Sequence, residues 1–261
     1  MKRTVGAIVL TTENRRESDR LIRLLCEDGQ LLRVYAAGAR NPRNKLCAAT
    51  EPFVLSKMEL FSSSGGYTLD DAEITEQFFA LRMSLKSYCL AGYIAQLILT
   101  IFSGETDPSL YALFGNMLFL LAGKKRDIRL LKAVMELRIA ALAGWKPEIE
   151  RCVCCSDPEI SAFSVADGGG YCEKCAAAHT GAVAISSPIL KAITASIGDD
   201  TKGLFSFTLT GEAAEGFSRL AEYYIRYYID AKLPALDYYN SLLEFEESIN
   251  DIQQTKTEPD S

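Results

Sequence analysis

The sequence predicts a multidomain α+β protein, with a five-stranded antiparallel β-barrel at the N-terminus and an α-helical domain that carries a small inserted module. Three observations support this fold class. Five short apolar runs with turn-length connections fill residues 1–78, a helical period replaces them from about Glu76, and five of the eight cysteines fall within 24 residues. Because 261 residues exceed one average domain, we expect a helical domain at 79–243 with its module at about 150–181, and an acidic disordered tail at 244–261.

The strands of the barrel are predicted from β-branched and apolar runs. They are expected at 4–10, 20–26, 30–36, 53–61 and 67–72. The sequence Glu27-Asp28-Gly29 predicts a hairpin turn between the second and third runs, because glycine adopts positive φ at little cost. Connections this short leave no room for crossover helices, so the sheet is expected to be antiparallel and to close or be covered. A small barrel of the OB type is the simplest closed sheet with five strands.

Helices are predicted from apolar positions that recur at helical spacing. They are expected from about 76 to 102, over 107–122, over 127–143, from 187 onward and over 211–231. The helix over 127–143 has a polar face formed by Arg129, Lys132 and Glu136. From Glu244 onward, six acidic residues and one lysine without apolar periodicity predict a solvated tail.

The net charge of −6 conceals an uneven distribution. Residues 1–57 hold 11 basic and 6 acidic side chains, a balance of +5, so the other 204 residues carry −11. This asymmetry indicates a basic binding surface on an acidic body, and contacts with nucleic-acid phosphates require Lys and Arg. Four basic residues lie in the third predicted strand and the loop after it, where OB-folds usually contact nucleic acid, and are the expected DNA contacts. They are Arg33, Arg40, Arg43 and Lys45. The alternative is a solvated basic loop that keeps an edge strand from pairing.

The cysteine spacing predicts a structural zinc site. Two Cys-x-x-Cys pairs are separated by sixteen residues, and each pair turns two thiolates toward one point. The expected ligands of one zinc ion are Cys152, Cys155, Cys172 and Cys175. Four thiolates complete a tetrahedral site and leave no open position, so the site is structural rather than catalytic. Cys154 or His179 could replace one ligand, and a redox pair or a disulfide is the alternative use of these cysteines.

Several classes of protein are disfavoured. The longest nearly apolar run, 88–102, has 15 residues, too few to cross a membrane, and the N-terminal residues lack the features of a signal peptide, so we expect a cytosolic protein. With His179 as the only histidine, no His-Glu-x-x-His site can form, and no Gly-x-x-x-x-Gly-Lys phosphate loop occurs. A metal-dependent nucleic-acid enzyme would need an open metal site, which the cysteine pattern does not provide. These features favour a binding protein over an enzyme.

Eight short motifs follow one another in a specific order within residues 5–195. They are Gly6-Ala7-Ile8-Val9-Leu10, Glu17-Ser18-Asp19-Arg20-Leu21, Gly38-Ala39-Arg40, Glu51-Pro52-Phe53, Leu137-Arg138, Gly144-Trp145-Lys146-Pro147, Cys152-Val153-Cys154-Cys155 and Gly169-Gly170-Tyr171-Cys172-Glu173-Lys174-Cys175. In this order they resemble the RecO family of bacterial recombination mediators of the RecF pathway. The resemblance implies an N-terminal OB-fold, a helical C-terminal domain with an inserted zinc module, and a nucleoid-associated location.

The resemblance also implies what the protein binds. We expect binding of single- and double-stranded DNA, annealing of complementary strands, and a complex with RecR that helps to load recombinase on DNA coated by single-strand-binding protein. A further expected partner is the C-terminal tail of single-strand-binding protein, which is acidic with an apolar end and needs an apolar groove rimmed by basic side chains. Arg126, Arg129 and Lys132 are the candidate rim, although charged residues on an amphipathic helix more often form an ordinary solvated surface.

Two alternatives remain at this point. A zinc-ribbon module for protein interaction or transcription would share the cysteines but would not anneal DNA. The tyrosine pairs Tyr223/Tyr227 and Tyr224/Tyr228, with Arg219 and Arg226 nearby, could stack on bases, but such a stripe more often packs a helix against its neighbours.

Overall fold

The N-terminal residues form the predicted five-stranded barrel in the computed structural model, which describes residues 2–198 and 203–255. The strands are β1 (Lys2–Arg15), β2 (Asp19–Cys26), β3 (Leu31–Ala36), β4 (Leu55–Ser63) and β5 (Gly66–Glu76). Their order around the closed barrel is β1-β2-β3-β5-β4. All neighbours are antiparallel except β3 and β5, which pair in parallel at Val34 and Tyr67. The expectation of a wholly antiparallel sheet was wrong at this pair, because strand directions cannot alternate around a closed ring of five strands.

Apolar side chains on both faces of the strands are buried. Val9, Ile22 and Leu24 fill the barrel interior and are 0% exposed. Ile8 and Leu25 point the other way and join the core of the helical domain. The barrel therefore packs against the helices along one side, which fixes the side that is left for other contacts.

The hairpin loop between β2 and β3 joins the barrel to the helical domain. Gly29 accepts a hydrogen bond from Thr106 at 2.8 Å, and the N–H of Leu31 donates to the carbonyl of Gly104, also at 2.8 Å. At Gly29 φ is +83°, and a Cβ there would lie 2.2 Å from the carbonyl oxygen of Thr106. Only glycine fits this close approach, so the predicted turn also forms part of the domain junction.

The helices lie in most cases where the apolar periodicity predicts them. They are α1 (Leu46–Ala49), α2 (Phe79–Arg82), α3 (Leu85–Ile101), α4 (Ser109–Ala122), α5 (Ile128–Leu142), α6 (Glu173–Ala177), α7 (Ser187–Ile197), α8 (Gly211–Tyr228) and α9 (Pro234–Thr255). The single helix expected from about 76 to 102 is two helices, because the Ser84 hydroxyl caps α3 by accepting from the N–H of Ser87. Among the described residues, no helix combines the length and the apolar character that crossing a bilayer requires.

The expected disordered tail at 244–261 is a helix as far as Thr255, and residues 256–261 lie outside the described part of the chain. Helix α9 is held by its first half. Leu236 and Tyr239 are 0% exposed against the core, and Gln96 of α3 accepts a hydrogen bond from the N–H of Ala235 at 3.0 Å. Further along, Glu246 forms an ion pair with Lys86 of α3. The prediction of disorder from the acidic composition was wrong for residues 244–255. The packed first half of α9 lets the helix continue into a segment with little apolar periodicity.

The inserted module contains a short β-hairpin between the two cysteine pairs. Its strands are β6 (Ala162–Ser164), β7 (Gly169–Tyr171) and β8 (Val183–Ala184). Two tyrosines of α8 contact the module: the Tyr228 hydroxyl donates to the carbonyl of Val165 at 3.2 Å, and the Tyr224 ring lies 5.9 Å from that of Phe163. The Tyr224 hydroxyl donates to the carbonyl of Trp145, which precedes the module, at 3.0 Å. Tyr224 and Tyr228 therefore pack the helix, whereas Tyr223 and Tyr227 are 62% and 52% exposed.

Candidate nucleic-acid interface and metal centre

The β2–β3 ladder places two arginines directly opposite each other on the outer face of the barrel. Arg23 of β2 pairs with Arg33 of β3, and Arg33 is exposed while Arg23 is half-buried. Like charges in this position destabilise a sheet. Within residues 2–198 and 203–255, neither side chain has an acidic partner. The pair is therefore positioned for an anionic ligand, on the strands that OB-folds use for oligonucleotides.

The basic loop, residues 37–45, lies beside this ladder and carries the other three predicted contacts. The Arg40 guanidinium donates to the carbonyl of Arg16 at 2.9 Å, which brings the loop against the β1–β2 turn. Arg43 is exposed. Lys45 differs, because its ammonium forms an ion pair with Asp71 at 2.6 Å and lowers the pKa of that carboxyl. A phosphate would have to compete with Asp71 for Lys45, so Lys45 is the weakest of the four candidate contacts.

Two basic residues in this region were missed by the sequence analysis. Arg16, in the β1–β2 turn, is exposed next to Arg40, and Arg23 lies opposite Arg33. The register was available from the sequence, because a turn centred on Asp28 pairs residues equidistant from it, such as Arg23 and Arg33 five positions away on either side. Arg16 carries no such signal, since a turn residue can point in many directions.

The four predicted zinc ligands converge in the module. The sulfur atoms of Cys152, Cys155, Cys172 and Cys175 all lie within 4.8 Å of one another. The Cys155 and Cys172 sulfurs are 3.6 Å apart, close to the roughly 3.8 Å edge of a tetrahedron with Zn–S bonds of about 2.3 Å. All the cysteines are free thiols, so this arrangement is not a pair of disulfides. The donor set and its spacing fit a metal ion such as zinc.

Backbone hydrogen bonds favour the thiolate form of one of these ligands, Cys152, whereas hydrogen bonds with the neighbouring thiols raise the pKa of Cys175. Although burial opposes it, hydrogen bonds from the backbone N–H groups of Cys172, Cys155 and Cys154 lower the pKa of the Cys152 thiol to about 6. The Cys152 carbonyl accepts from the N–H of Ser156 at 2.8 Å, which closes the turn that brings Cys155 back toward Cys152. A thiolate already favoured at neutral pH binds a metal cation with less competition from protons.

The two alternative ligands lie outside this group of four. Cys154 is exposed and is not among the cysteines whose sulfurs converge. His179 is engaged elsewhere: its Nε2 lies 3.1 Å from Asp167, its Nδ1 accepts from the N–H of Gly181 at 3.1 Å, and its ring packs on Tyr171. His179 therefore contributes to packing within the module.

The three candidate partner-binding residues of α5 and the turn before it have separate environments. Lys132 was expected at the surface, but its side chain is 3% exposed and forms ion pairs with Glu136 at 2.9 Å and Glu222 at 2.8 Å. The prediction of a solvent-facing Lys132 was wrong, because α8 covers this face of α5 and supplies Glu222. Arg129 forms an ion pair with Asp127 at 3.1 Å.

Arg126 lines a groove that is separate from the cavity of about 490 Å³ that Arg129 and Lys132 line together with α8 and α9. A cavity of about 360 Å³ between Arg126, α4 and the segment around Phe205 is lined by Leu113 and Phe119. Phe119 is 54% exposed, and the Lys125 ammonium lies 4.6 Å from the centre of its ring. An apolar floor with two cations at its rim suits an acidic peptide with an apolar end.

Comparisons with known proteins agree along almost the whole chain. The family model described as Recombination protein O N terminal matches residues 1–78, and that described as Recombination protein O C terminal matches residues 82–237. The DNA repair protein RecO of Desulforudis audaxviator is 36% identical over 172 residues, 65% of this chain and 68% of the relative. That of Myxococcus xanthus is 32% identical over 193 residues, 72% and 79% of the two chains. That of Acetivibrio thermocellus is 25% identical over 240 residues, 91% and 96% of the two chains. With the C-terminal model alone matching more than half of its residues, the chain belongs to the RecO family.

Proposed function

We propose that this chain is a DNA-binding recombination mediator that binds single- and double-stranded DNA and anneals complementary strands. Together with RecR, it helps to load recombinase on DNA coated by single-strand-binding protein. Membership of the RecO family gives the coarser role, in DNA repair and recombination. One observation supports the finer proposal: the opposed pair Arg23 and Arg33 lies beside the basic loop, on the strands that OB-folds commonly use to bind nucleic acid.

The energetics of annealing fit a protein that only binds. Cations on one face neutralise phosphates, which reduces the repulsion between two strands and lets base pairing drive the reaction. The sequence contains no Gly-x-x-x-x-Gly-Lys phosphate loop, so the proposal assigns no nucleotide hydrolysis to the chain. Zinc would hold the module by its four thiolates and would take no part in a chemical step.

The tail of single-strand-binding protein is proposed to bind in the groove beside Arg126. Its apolar end would contact Phe119 and Leu113, and its carboxylates would meet Arg126 and Lys125. Lys132 is not included in the proposed peptide-binding site, because its side chain is buried in ion pairs with Glu136 and Glu222. RecR is kept as a partner on the family resemblance, without an assigned surface.

The annealing of complementary oligonucleotides, bare or coated with single-strand-binding protein, tests this function. We expect the wild-type chain to accelerate both reactions. Arg126→Ala is expected to keep the acceleration on bare strands, because the groove is separate from the barrel, and to lose most of it on coated strands. The rate of duplex formation, followed by a fluorescence label, reports both effects.

Arg129→Ala is the matched control, since it removes the same charge three residues away and outside the groove. No acceleration of either reaction by the wild type would favour the zinc-ribbon interaction module. Equal acceleration on coated strands by wild type and Arg126→Ala would place the tail site elsewhere.

A further inference from the structure

The basic loop has no helix or strand of its own, yet two adjacent residues outside it contact both of its sides. These residues, Asp19 and Arg20, begin β2 directly after the exposed β1–β2 turn. Both are charged and lie near the proposed DNA-binding surface, but both already make several hydrogen bonds within the protein. Their contacts identify a role other than binding phosphate.

Asp19 binds the start of the basic loop. Its carboxylate accepts a hydrogen bond from the N–H of Gly38 at 2.8 Å and another from the hydroxyl of Tyr35, at the end of β3. The Gly38 amide and the Tyr35 hydroxyl lower the pKa of Asp19, so the carboxylate stays charged near neutral pH. At Gly38 φ is +64°, a left-handed conformation that turns the chain out of β3.

Arg20 binds the segment that follows the loop. Its guanidinium donates to the carbonyl of Cys47 at 2.8 Å, to the Thr50 hydroxyl at 2.9 Å and to the Glu51 carboxylate at 2.7 Å. The Arg20 side chain is 13% exposed, so it is not presented to a ligand in solvent. Arg20 therefore anchors α1 and the chain just after it, which is where the basic loop ends.

Backbone contacts from the same turn complete the arrangement. The N–H of Arg40 donates to the carbonyl of Ser18 at 2.8 Å, and the Arg40 side chain reaches the carbonyl of Arg16 at 2.9 Å. The middle of the basic loop is thus tied to the β1–β2 turn between the two points that Asp19 and Arg20 hold.

We infer that Asp19 and Arg20 are positioning residues for DNA binding, which clamp the two sides of the basic loop and hold Arg40 and Arg43 beside Arg33. The inference rests on the proposed function. A loop that is ordered before the ligand arrives does not lose conformational entropy on binding, so affinity is higher than with a loose loop carrying the same charges.

The direction in which one substitution changes the affinity for DNA distinguishes this positioning role from a purely electrostatic effect. Asp19→Asn removes a negative charge next to a basic surface, so electrostatics alone predicts tighter DNA binding. Positioning predicts weaker binding by about fivefold, the effect of losing one good hydrogen bond. Because the phosphate contacts themselves remain, the plot of log K against log salt concentration should shift downward without a change of slope.

The experiment measures oligo(dT) binding by fluorescence anisotropy over a range of salt concentrations, with circular dichroism to check folding. Glu17→Gln is the matched control, since Glu17 is exposed in the same turn and the described residues show no contact between it and the loop. Its affinity should be unchanged or slightly higher. Arg20→Lys keeps the positive charge but loses the several hydrogen bonds of the guanidinium. It is the second test variant if Asp19→Asn does not fold, and it should also weaken DNA binding without changing the slope. Arg43→Ala should instead lower the slope by about 0.7.

The outcomes are distinct. Weaker binding by Asp19→Asn at an unchanged slope supports the clamp, as does the same result for Arg20→Lys where Asp19→Asn does not fold. Unchanged or tighter binding by Asp19→Asn, with Arg43→Ala behaving as expected, overturns the clamp and leaves the proposed function standing. Absence of salt-dependent binding by the wild type overturns both.

Discussion

Replacing Cys172 by serine is expected to unfold the module at 150–181 and to abolish the capacity of its four-cysteine group to hold a metal ion. Cys172 is buried, and its sulfur lies 3.6 Å from that of Cys155 in the group of four. Structural zinc sites contribute about 10 kcal/mol or more to the folding of small modules, so loss of one ligand removes most of the stability of this segment. Zinc content by elemental analysis and protease sensitivity of the segment measure the effect.

The effect should extend to helix α8. The Tyr228 hydroxyl donates a hydrogen bond to Val165 of the module and the Tyr224 ring packs against Phe163, so an unfolded module leaves one side of α8 without its packing. Cys154→Ser is the matched control, because Cys154 is exposed and outside the group of four, and it should retain metal and protease resistance. Wild-type protein, purified without added metal, that holds less than about half an equivalent of zinc and has freely reactive thiols would contradict the metal centre.

The second large effect is expected at Lys132. Its ammonium lies between two carboxylates, Glu136 and Glu222, and Glu136 also accepts a hydrogen bond from the Tyr93 hydroxyl at 2.7 Å. Burial raises the pKa of Glu136, and Lys132 opposes that rise. Lys132→Ala leaves two carboxylates facing each other, and removal of one partner from a buried pair costs about 3–5 kcal/mol of folding free energy.

Urea unfolding of Lys132→Ala, compared with wild type and Arg129→Ala, measures this cost. Arg129 is one turn away and 45% exposed, so its removal should cost at most about 1 kcal/mol. A Lys132→Met/Glu136→Met double variant should recover part of the loss, because an apolar pair replaces the buried charges. A stable Lys132→Ala chain that fails to bind the tail of single-strand-binding protein would restore Lys132 as a partner-binding residue.

The difference between the expected and observed positions of Lys132 identifies a limit of sequence periodicity. Spacing along α5 correctly places Lys132 and Glu136 on one polar face, but it carries no information on what covers that face. Glu222 lies 90 positions further along the chain and completes the charge balance from α8. A buried ion pair formed by tertiary contact cannot be distinguished from a solvated face within a single helix.

Local signals were more informative in the barrel and the module. The turn at Asp28 and the alternation around it fix the β2–β3 register, and the two Cys-x-x-Cys pairs each specify a local turn. By contrast, the ion pair between Lys45 and Asp71 joins a loop to β5, and the bond from Arg20 to Glu51 joins β2 to a segment beyond the basic loop. Both depend on barrel closure, which the sequence indicates only in outline.

The β2–β3 face and the basic loop are proposed to bind DNA through phosphate contacts. The measurement is the slope of log K against log salt for oligo(dT) and the triple variant Arg23→Ala/Arg33→Ala/Arg43→Ala. These three arginines are chosen because Arg40 is tied to Arg16 and Lys45 to Asp71. A triple variant at Lys124, Lys146 and Lys191, exposed cations of the helical part of the chain, removes the same charge from elsewhere.

We expect the slope of the arginine variant to be about 2 units shallower than that of wild type, since each lost contact with single-stranded DNA removes about 0.7. The lysine variant should keep the wild-type slope, with at most a small loss of affinity. Equal slopes and affinities for wild type and the arginine variant, when both are folded, would contradict the claim that this face of the barrel holds DNA.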